Sequence, residues 1–288
     1  MRKLFAVLLA LCLACSMAAC AGGNTSSTSS TSTTSESTVA EDSSVAEESS
    51  AAEDSSASEE SEASEAATGD ATVLSYEEYM AAELDTEVTI QAYVQAKQSY
   101  YAEQGTATVY LQDQDGGYFA YDMACTQEEY DAMTEGTCIQ VSGFKSEWSG
   151  EIEIMDGQLD QIVEGDTFVA EPFDATSLLG TDELEQHQNE KVSFTGLTVA
   201  PSTDADGNEV AFLYNYDGSG TQGDDVDFNV SYNNQTFSFV VESYLCDSES
   251  EVYKAVEALE VGQTIDCECF LYWYEGANPH ITSVTVTG

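Results

Sequence analysis

Aromatic rings, carboxylates and thiols are the side chains through which this 288-residue chain could do chemistry. The rings cluster: Tyr100 and Tyr101 follow an alternating apolar stretch, Trp148 precedes a Ser-Gly pair, and Tyr272, Trp273 and Tyr274 form an unbroken run. Rings in such loops stack on sugars or anchor protein partners, which makes these six the candidate ligand contacts. The same rings would equally fill a barrel or a seam between domains. Among the carboxylates, Asp204 and Asp206 are spaced like the opening of a calcium loop, and Asp224, Asp225 and Asp227 offer three more oxygen ligands. A hard cation wants six to eight oxygens. However, the position of the bidentate glutamate in such a loop is Leu213 here, and Asp-Gly and Gly-Asn also make ordinary turns. Calcium is the one cofactor these residues suggest, and no other is expected.

The thiols divide by position. Cys125 and Cys138 bracket a short helical stretch and form a candidate disulfide, with Cys246 able to pair with Cys267 or Cys269. Cys267 and Cys269 share one strand face, as buried small hydrophobes or as two ligands of an incomplete zinc site. His187 and His280 lie in a polar segment and a turn, and both read as surface residues. With no phosphate loop, no metal-hydrolase motif and no nucleophile beside a histidine, the chain is not expected to be an enzyme.

The N-terminus carries its own chemistry. Arg2 and Lys3 precede an apolar run, Leu4 to Cys15, too short to span a bilayer comfortably. It ends at Met17-Ala18-Ala19-Cys20, where small residues let a peptidase close on the backbone and the thiol can take a diacylglycerol. This resembles the lipobox of bacterial lipoproteins, with Met17 in place of the usual leucine. The resemblance implies a signal peptide over residues 1–19 and lipidation of Cys20. Residues 20–70 then form a linker of Ser, Thr, Ala and Glu, with no aromatic residue after Cys20. Such a segment buries too little apolar surface to offset chain entropy, and a disordered tether is expected.

Charge narrows the partners. Six Lys and Arg face 54 Asp and Glu. Beyond Lys3 only Lys97, Lys145, Lys191 and Lys254 remain, with no arginine. Nucleic-acid affinity rests largely on basic side chains displacing counterions, so nucleic acid is not an expected partner. Cationic partners, a cell-wall or host glycan, or a protein stay open, besides the membrane reached through the lipid.

The elements that must hold these residues repeat. Val88 to Val94 alternates, a Gly116-Gly117 turn joins two further strands, and Thr126 with Glu129 forms a capping box for a short helix. A strand from Cys138 to Phe144 and a hairpin at Gly150 follow. The order recurs from Lys191, and Gly136 to Phe144 aligns without a gap on Gly262 to Phe270. Ala92, Gly143 and Gly196 stand where a coiling strand would crowd a side chain. Five strands with a helix between the third and fourth resembles the OB-fold, a small Greek-key barrel. The expectation is an all-β chain with short helices: two tandem OB-fold-like five-stranded barrels, residues 71–168 and 169–288, after the tether. The whole is similar to lipid-anchored surface lipoproteins carrying such tandem domains. That similarity implies an extracellular binding or adaptor protein, or else a structural spacer or a non-catalytic accessory subunit of a surface hydrolase or transporter.

Overall fold

Alternation of apolar and polar residues places one face of each strand inward, and the strands close on themselves twice. In the computed structural model, which describes residues 72–165 and 167–288, the first barrel is built from β1 (Glu87–Lys97), β2 (Thr106–Gln112), β3 (Gly117–Ala124), β4 (Cys138–Trp148) and β5 (Glu151–Val163). Their order around the barrel is β1-β2-β3-β5-β4, closed by β1 against β4. Every pairing is antiparallel except β3 with β5. Helix α1 (Tyr76–Ala81) precedes the barrel, and α2 (Gln127–Ala132) sits between β3 and β4. Both start with capping boxes, Ser75 with Glu78 and Thr126 with Glu129, each satisfying two orphan donors. Val88, Ile90, Val109, Leu111, Ile139 and Val141 fill the interior, and Met133 closes one end.

Short strands decorate the second barrel: β6 (Phe173–Asp174), β8 (Ser202–Thr203), β9 (Glu209–Val210) and β10 (Phe212–Tyr214). The barrel itself comprises β7 (Lys191–Ala200), β11 (Val226–Tyr232), β12 (Gln235–Val241), β13 (Thr264–Phe270) and β14 (His280–Val286). They pair in the same cyclic order as the first five, with β7 on β11 closing the ring. Phe212–Tyr214 is thus an added edge strand beside β11 and not part of the ring. Helix α3 (Glu251–Glu257) takes the place of α2, is capped by Ser250, and buries Val252, Tyr253 and Val256. The chain therefore has the expected all-β class and two OB-type barrels. Both fall in one compact unit. The leader, Cys20 and the tether lie outside the described residues. None of the described helices is long and apolar enough to cross a membrane.

Two glycines separate crowding from conformation. A Cβ on Gly143 would stand 2.6 Å from Ile154 Cγ2 and 2.9 Å from the Met155 carbonyl, so the strand crossing leaves no room there. Gly196 has open space around it but a φ of +67°. The expectation of a collision at Gly196 is corrected: the backbone, left-handed at that point, requires the residue. Gly143→Val should accordingly destabilise the fold by about 1–3 kcal/mol through overpacking, with strand displacement. Gly196→Ala should cost roughly 1 kcal/mol without repacking the core. Urea unfolding with NMR shift mapping distinguishes the two. Equal core shifts in both variants would contradict the assignment.

Candidate functional site

The wall formed by β2 and β3, together with the loops after strand one and between strands four and five, is where OB-folds hold oligomeric ligands. In the first barrel one end of that wall is already filled. Val109 and Leu111 point into the core, so Tyr110 faces outward, directly opposite Phe119 of β3. Both are nevertheless buried, because the second barrel covers them with Phe270 and Tyr272. Tyr110 stacks on Phe270 with 4.7 Å between ring centres, and meets Phe119 edge-on at 5.1 Å. Phe119 meets Tyr272 edge-on at 5.2 Å, and Tyr272 stacks on His280 at 4.4 Å. The Tyr110 hydroxyl and His280 Nδ1 share a 2.7 Å hydrogen bond. Burial pushes His280 down to about 3, which keeps the ring neutral, and pushes the Tyr110 phenol up.

Backbone groups stitch the same seam. Gln188 Nε2 donates to the Gly150 carbonyl at 2.8 Å, and the Ile152 amide donates to Gln188 Oε1 at 3.1 Å. Asn189 Nδ2 donates to the Ile152 carbonyl at 3.0 Å, the Lys191 amide to Gln112 Oε1 at 2.8 Å. A Cβ on Gly117 would fall 2.2 Å from the Asn189 backbone, and one on Gly150 would fall 2.8 Å from the Trp273 ring. Within this contact Glu151 is fully buried. Its Oε2 accepts from the Trp273 amide at 2.9 Å, while Oε1 has no partner. Burial raises its carboxyl to about 8, and neighbouring Glu153 is raised to about 7 for the same reason.

The six candidate aromatics therefore do not make one site. Tyr272 and Trp273 belong to the seam and the second core. Tyr100 packs on Tyr130 and donates its hydroxyl to the Cys125 carbonyl. Tyr101, Trp148 and Tyr274 are exposed. The histidine reading is corrected as well: His280 is buried between barrels, and His187 stacks on Phe173 and contacts Glu190 at 2.9 Å. His280 is held by Tyr110, far away in sequence, and His187 by Phe173 and Glu190 of its own segment.

Calcium does not fit the carboxylates proposed for it. Asp204 closes its own turn, accepting from the amides of Asp206 and Asn208 and from Asn208 Nδ2. Asp224 accepts from the Thr221 amide, and Asp225 from the amide and hydroxyl of Ser243. Burial, with Asp225 and Asp217 nearby, raises Asp227 to about 7. Among the described residues no three His, Cys, Asp or Glu side chains gather as a metal site. The five described cysteines are free, so the Cys125–Cys138 pair is not made. Cys267 and Cys269 are core residues whose thiols burial pushes up, Cys267 to about 12.

What stays open is the opposite end of the β2–β3 wall. There Thr106 begins β2, Tyr121, Asp122 and Ala124 end β3, and Gln104 comes from the β1–β2 loop. Residues Met155 to Gln158 of β5 complete a cleft of about 340 Å³. Its floor is a fault in strand pairing. The parallel ladder joins Ala120 to Ile154 and Ala124 to Gln158. In that register Asp122 faces Asp156, and both have left-handed backbones, with φ of 45° and 51°. Register shifts in the β2–β3 and β4–β5 pairings fall at the same level and interrupt the ladder, a device common beside functional sites. Sequence reading missed this cleft. Its one signal was a pair of turn-type residues, Asp122 and Asp156-Gly157, inside otherwise regular strands.

No protein-family model matches the chain, and no curated protein matches it. Solved structures do. The HINa domain of Ifi202 in complex with 20-bp double-stranded DNA is 12% identical, covers 70% of this chain and 98% of its own, and has a TM-score of 0.32. A murine DNA-binding protein bound to double-stranded DNA is 12% identical, covering 69% and 99%, with a TM-score of 0.32. A deletion mutant of the single-stranded DNA-binding protein from Thermus aquaticus is 12% identical, covering 71% and 95%, with a TM-score of 0.23. Such likeness concerns the fold alone. It still overturns the partner expectation, because DNA-binding proteins stand among the similar folds. Net charge averages over the chain, whereas a binding face is local, so the exclusion of nucleic acid and the glycan or protein partners left by it do not hold as assignments.

The seam carries a pH dependence. A carboxyl at about 8 in the folded state against 4.5 unfolded binds its proton more tightly when folded. Stability from Glu151 is thus complete below about pH 4.5 and is lost as pH rises to about 8. Tyr79, Glu153 and Tyr272 surround it and none supplies a positive charge. Denaturant titrations at pH 5 and 8 should show wild type weaker at pH 8, and Glu151→Gln should reduce the difference, with Glu153, Asp227 and Glu242 supplying the remainder. An unchanged slope in Glu151→Gln would assign the dependence elsewhere.

Proposed function

We propose that this chain is a bacterial lipoprotein, held at the extracellular face of the cell membrane by lipid on Cys20, and that it works by binding a small ligand without turning it over. The Met17-Ala18-Ala19-Cys20 sequence after a basic and apolar leader supports the anchor. The observation that carries the binding role is the cleft at the end of the β2–β3 wall. It is the part of the first barrel's ligand wall that the second barrel leaves uncovered. At about 340 Å³ it matches the lower range of small-molecule sites, and its lining mixes an aromatic ring with converging polar groups. The second barrel then acts as a rigid plug and brace for the first.

Two measurements test this. Labelled palmitate should enter the protein in cells, and Cys20→Ser should abolish both labelling and membrane fractionation. A thermal-shift screen of amines, peptides, oligosaccharides and DNA against the purified chain should find a stabilising class. A ligand at about 100 times its Kd adds about 2.7 kcal/mol. Gln158→Trp, which fills the cleft from an exposed position, should remove that gain while leaving unliganded stability intact. A gain undiminished in Gln158→Trp would place the ligand elsewhere.

A further inference from the structure

We infer that the cleft between β3 and β5 takes an organic cation, a ligand presenting a primary ammonium or guanidinium group on an alkyl stem. The inference rests on the proposed binding role of this cleft and names the chemistry of its occupant. Asp122 and Asp156 stand opposite each other across the interrupted ladder, one from each strand. The Tyr121 ring, 43% exposed, lines the same cleft, as does the apolar side chain of Met155. A cation over an aromatic face, with carboxylates to accept its hydrogens and an apolar flank for its stem, is a recurring arrangement. Gln104 and Gln158 add further acceptors at the rim, and the lining holds no Lys or Arg.

No lysine among the described residues supplies a counter-charge to these two acids. All four lysines beyond Lys3 are committed: Lys97 donates to the Tyr130 carbonyl and Lys145 to the carbonyls of Met80 and Ala82. Lys191 lies 4.0 Å from Glu135, and Lys254 pairs with Glu249 at 3.0 Å. Among the described residues no ion pair involves Asp122 or Asp156. Thr106 donates to only one Asp122 oxygen, at a long 3.5 Å, so that carboxylate keeps acceptor capacity toward the cleft. The chain's strong negative charge would steer a cation toward it.

Calorimetric titration of the purified full chain with cadaverine, spermidine, arginine amide and a lysine-containing peptide tests the inference, with 1,5-pentanediol as the uncharged control. The amines should bind and the diol should not. Asp122→Asn and Asp156→Asn should each weaken binding about tenfold or more, equivalent to at least about 1.4 kcal/mol. Asparagine keeps the left-handed backbone accessible, so these variants retain the local fold. Asp204→Asn, a half-buried acid in a different hairpin, should leave affinity unchanged. An equal loss in Asp204→Asn would show diffuse attraction and overturn the site, as would binding of the diol as tight as that of cadaverine. Free amines binding tighter than the peptide would mark a small-molecule ligand; the reverse would mark a basic side chain of a protein. If no amine binds but another class loses its stabilisation in Gln158→Trp, the cation is wrong and the cleft stands. If Gln158→Trp alters the binding of no class, both fail.

Discussion

The burial of Tyr110 and Phe119 is the contact on which the arrangement depends. Two large rings on the outside of a barrel would be a hydrophobic patch in a lone domain. Here Phe270 and Tyr272 cover them, and the Tyr110 hydroxyl finds His280. A buried phenol without a partner would cost about 1–3 kcal/mol, so His280 and, at 3.3 Å, Gln98 Nε2 together let a tyrosine, and not only a phenylalanine, sit there. The hydrogen bonds of Gln188 and Asn189 then fix the first barrel's last hairpin to the approach of the second. Covering one end of the ligand wall also defines what remains: the cleft exists as a separate feature because the rest of the wall is filled.

Much of the fold could be read from residue order, and the reasons are local. Period-two alternation, the capping box at Thr126, and the gapless match of Gly136–Phe144 to Gly262–Phe270 all act within a few residues. Docking does not. Phe144 and Phe270 occupy the same place in the repeat, yet Phe144 is 44% exposed and Phe270 only 3%. Nothing within either strand separates them; the difference is made by Tyr110, some 160 positions from Phe270. The same holds for Tyr272 and Trp273, which sequence alone leaves equally suited to a ligand face or a seam. The Asp122–Asp156 pair was out of reach for a further reason. Parallel strands never adjoin in sequence, and their register appears only once the barrel has closed.

Acidity has a structural counterpart in the described unit. Besides Glu151 and Glu153, burial raises Asp227 and Glu242 to about 7, with Asp225 adding to both. Four carboxyls thus favour the protonated state on folding, and none is compensated by a lysine. A chain with so few cations cannot neutralise buried acids with ion pairs; it holds their protons instead. The contrast with Asp122 and Asp156 matters for that reason. Glu151 is closed off between the barrels, whereas the cleft acids stand where a cation can reach them.

The two barrels are copies of one fold but do not meet symmetrically. The first offers its β2–β3 wall; the second offers the end of β13 and the loop into β14. A head-to-tail contact of this kind could in principle continue, each wall receiving the next barrel. The second wall is different. Val226, Phe228 and Val230 point inward, so Asp227 and Asn229 face out, opposite Val240 and Ser238 of β12. Where the first wall has Tyr110 against Phe119, the second has acid and amide against valine and serine. A third barrel docking there would bury Asp227 further with no ring to gain and no cation to pair with it. Polarity at a few outward positions thus keeps the second wall from offering the ring-lined docking surface that the first one does.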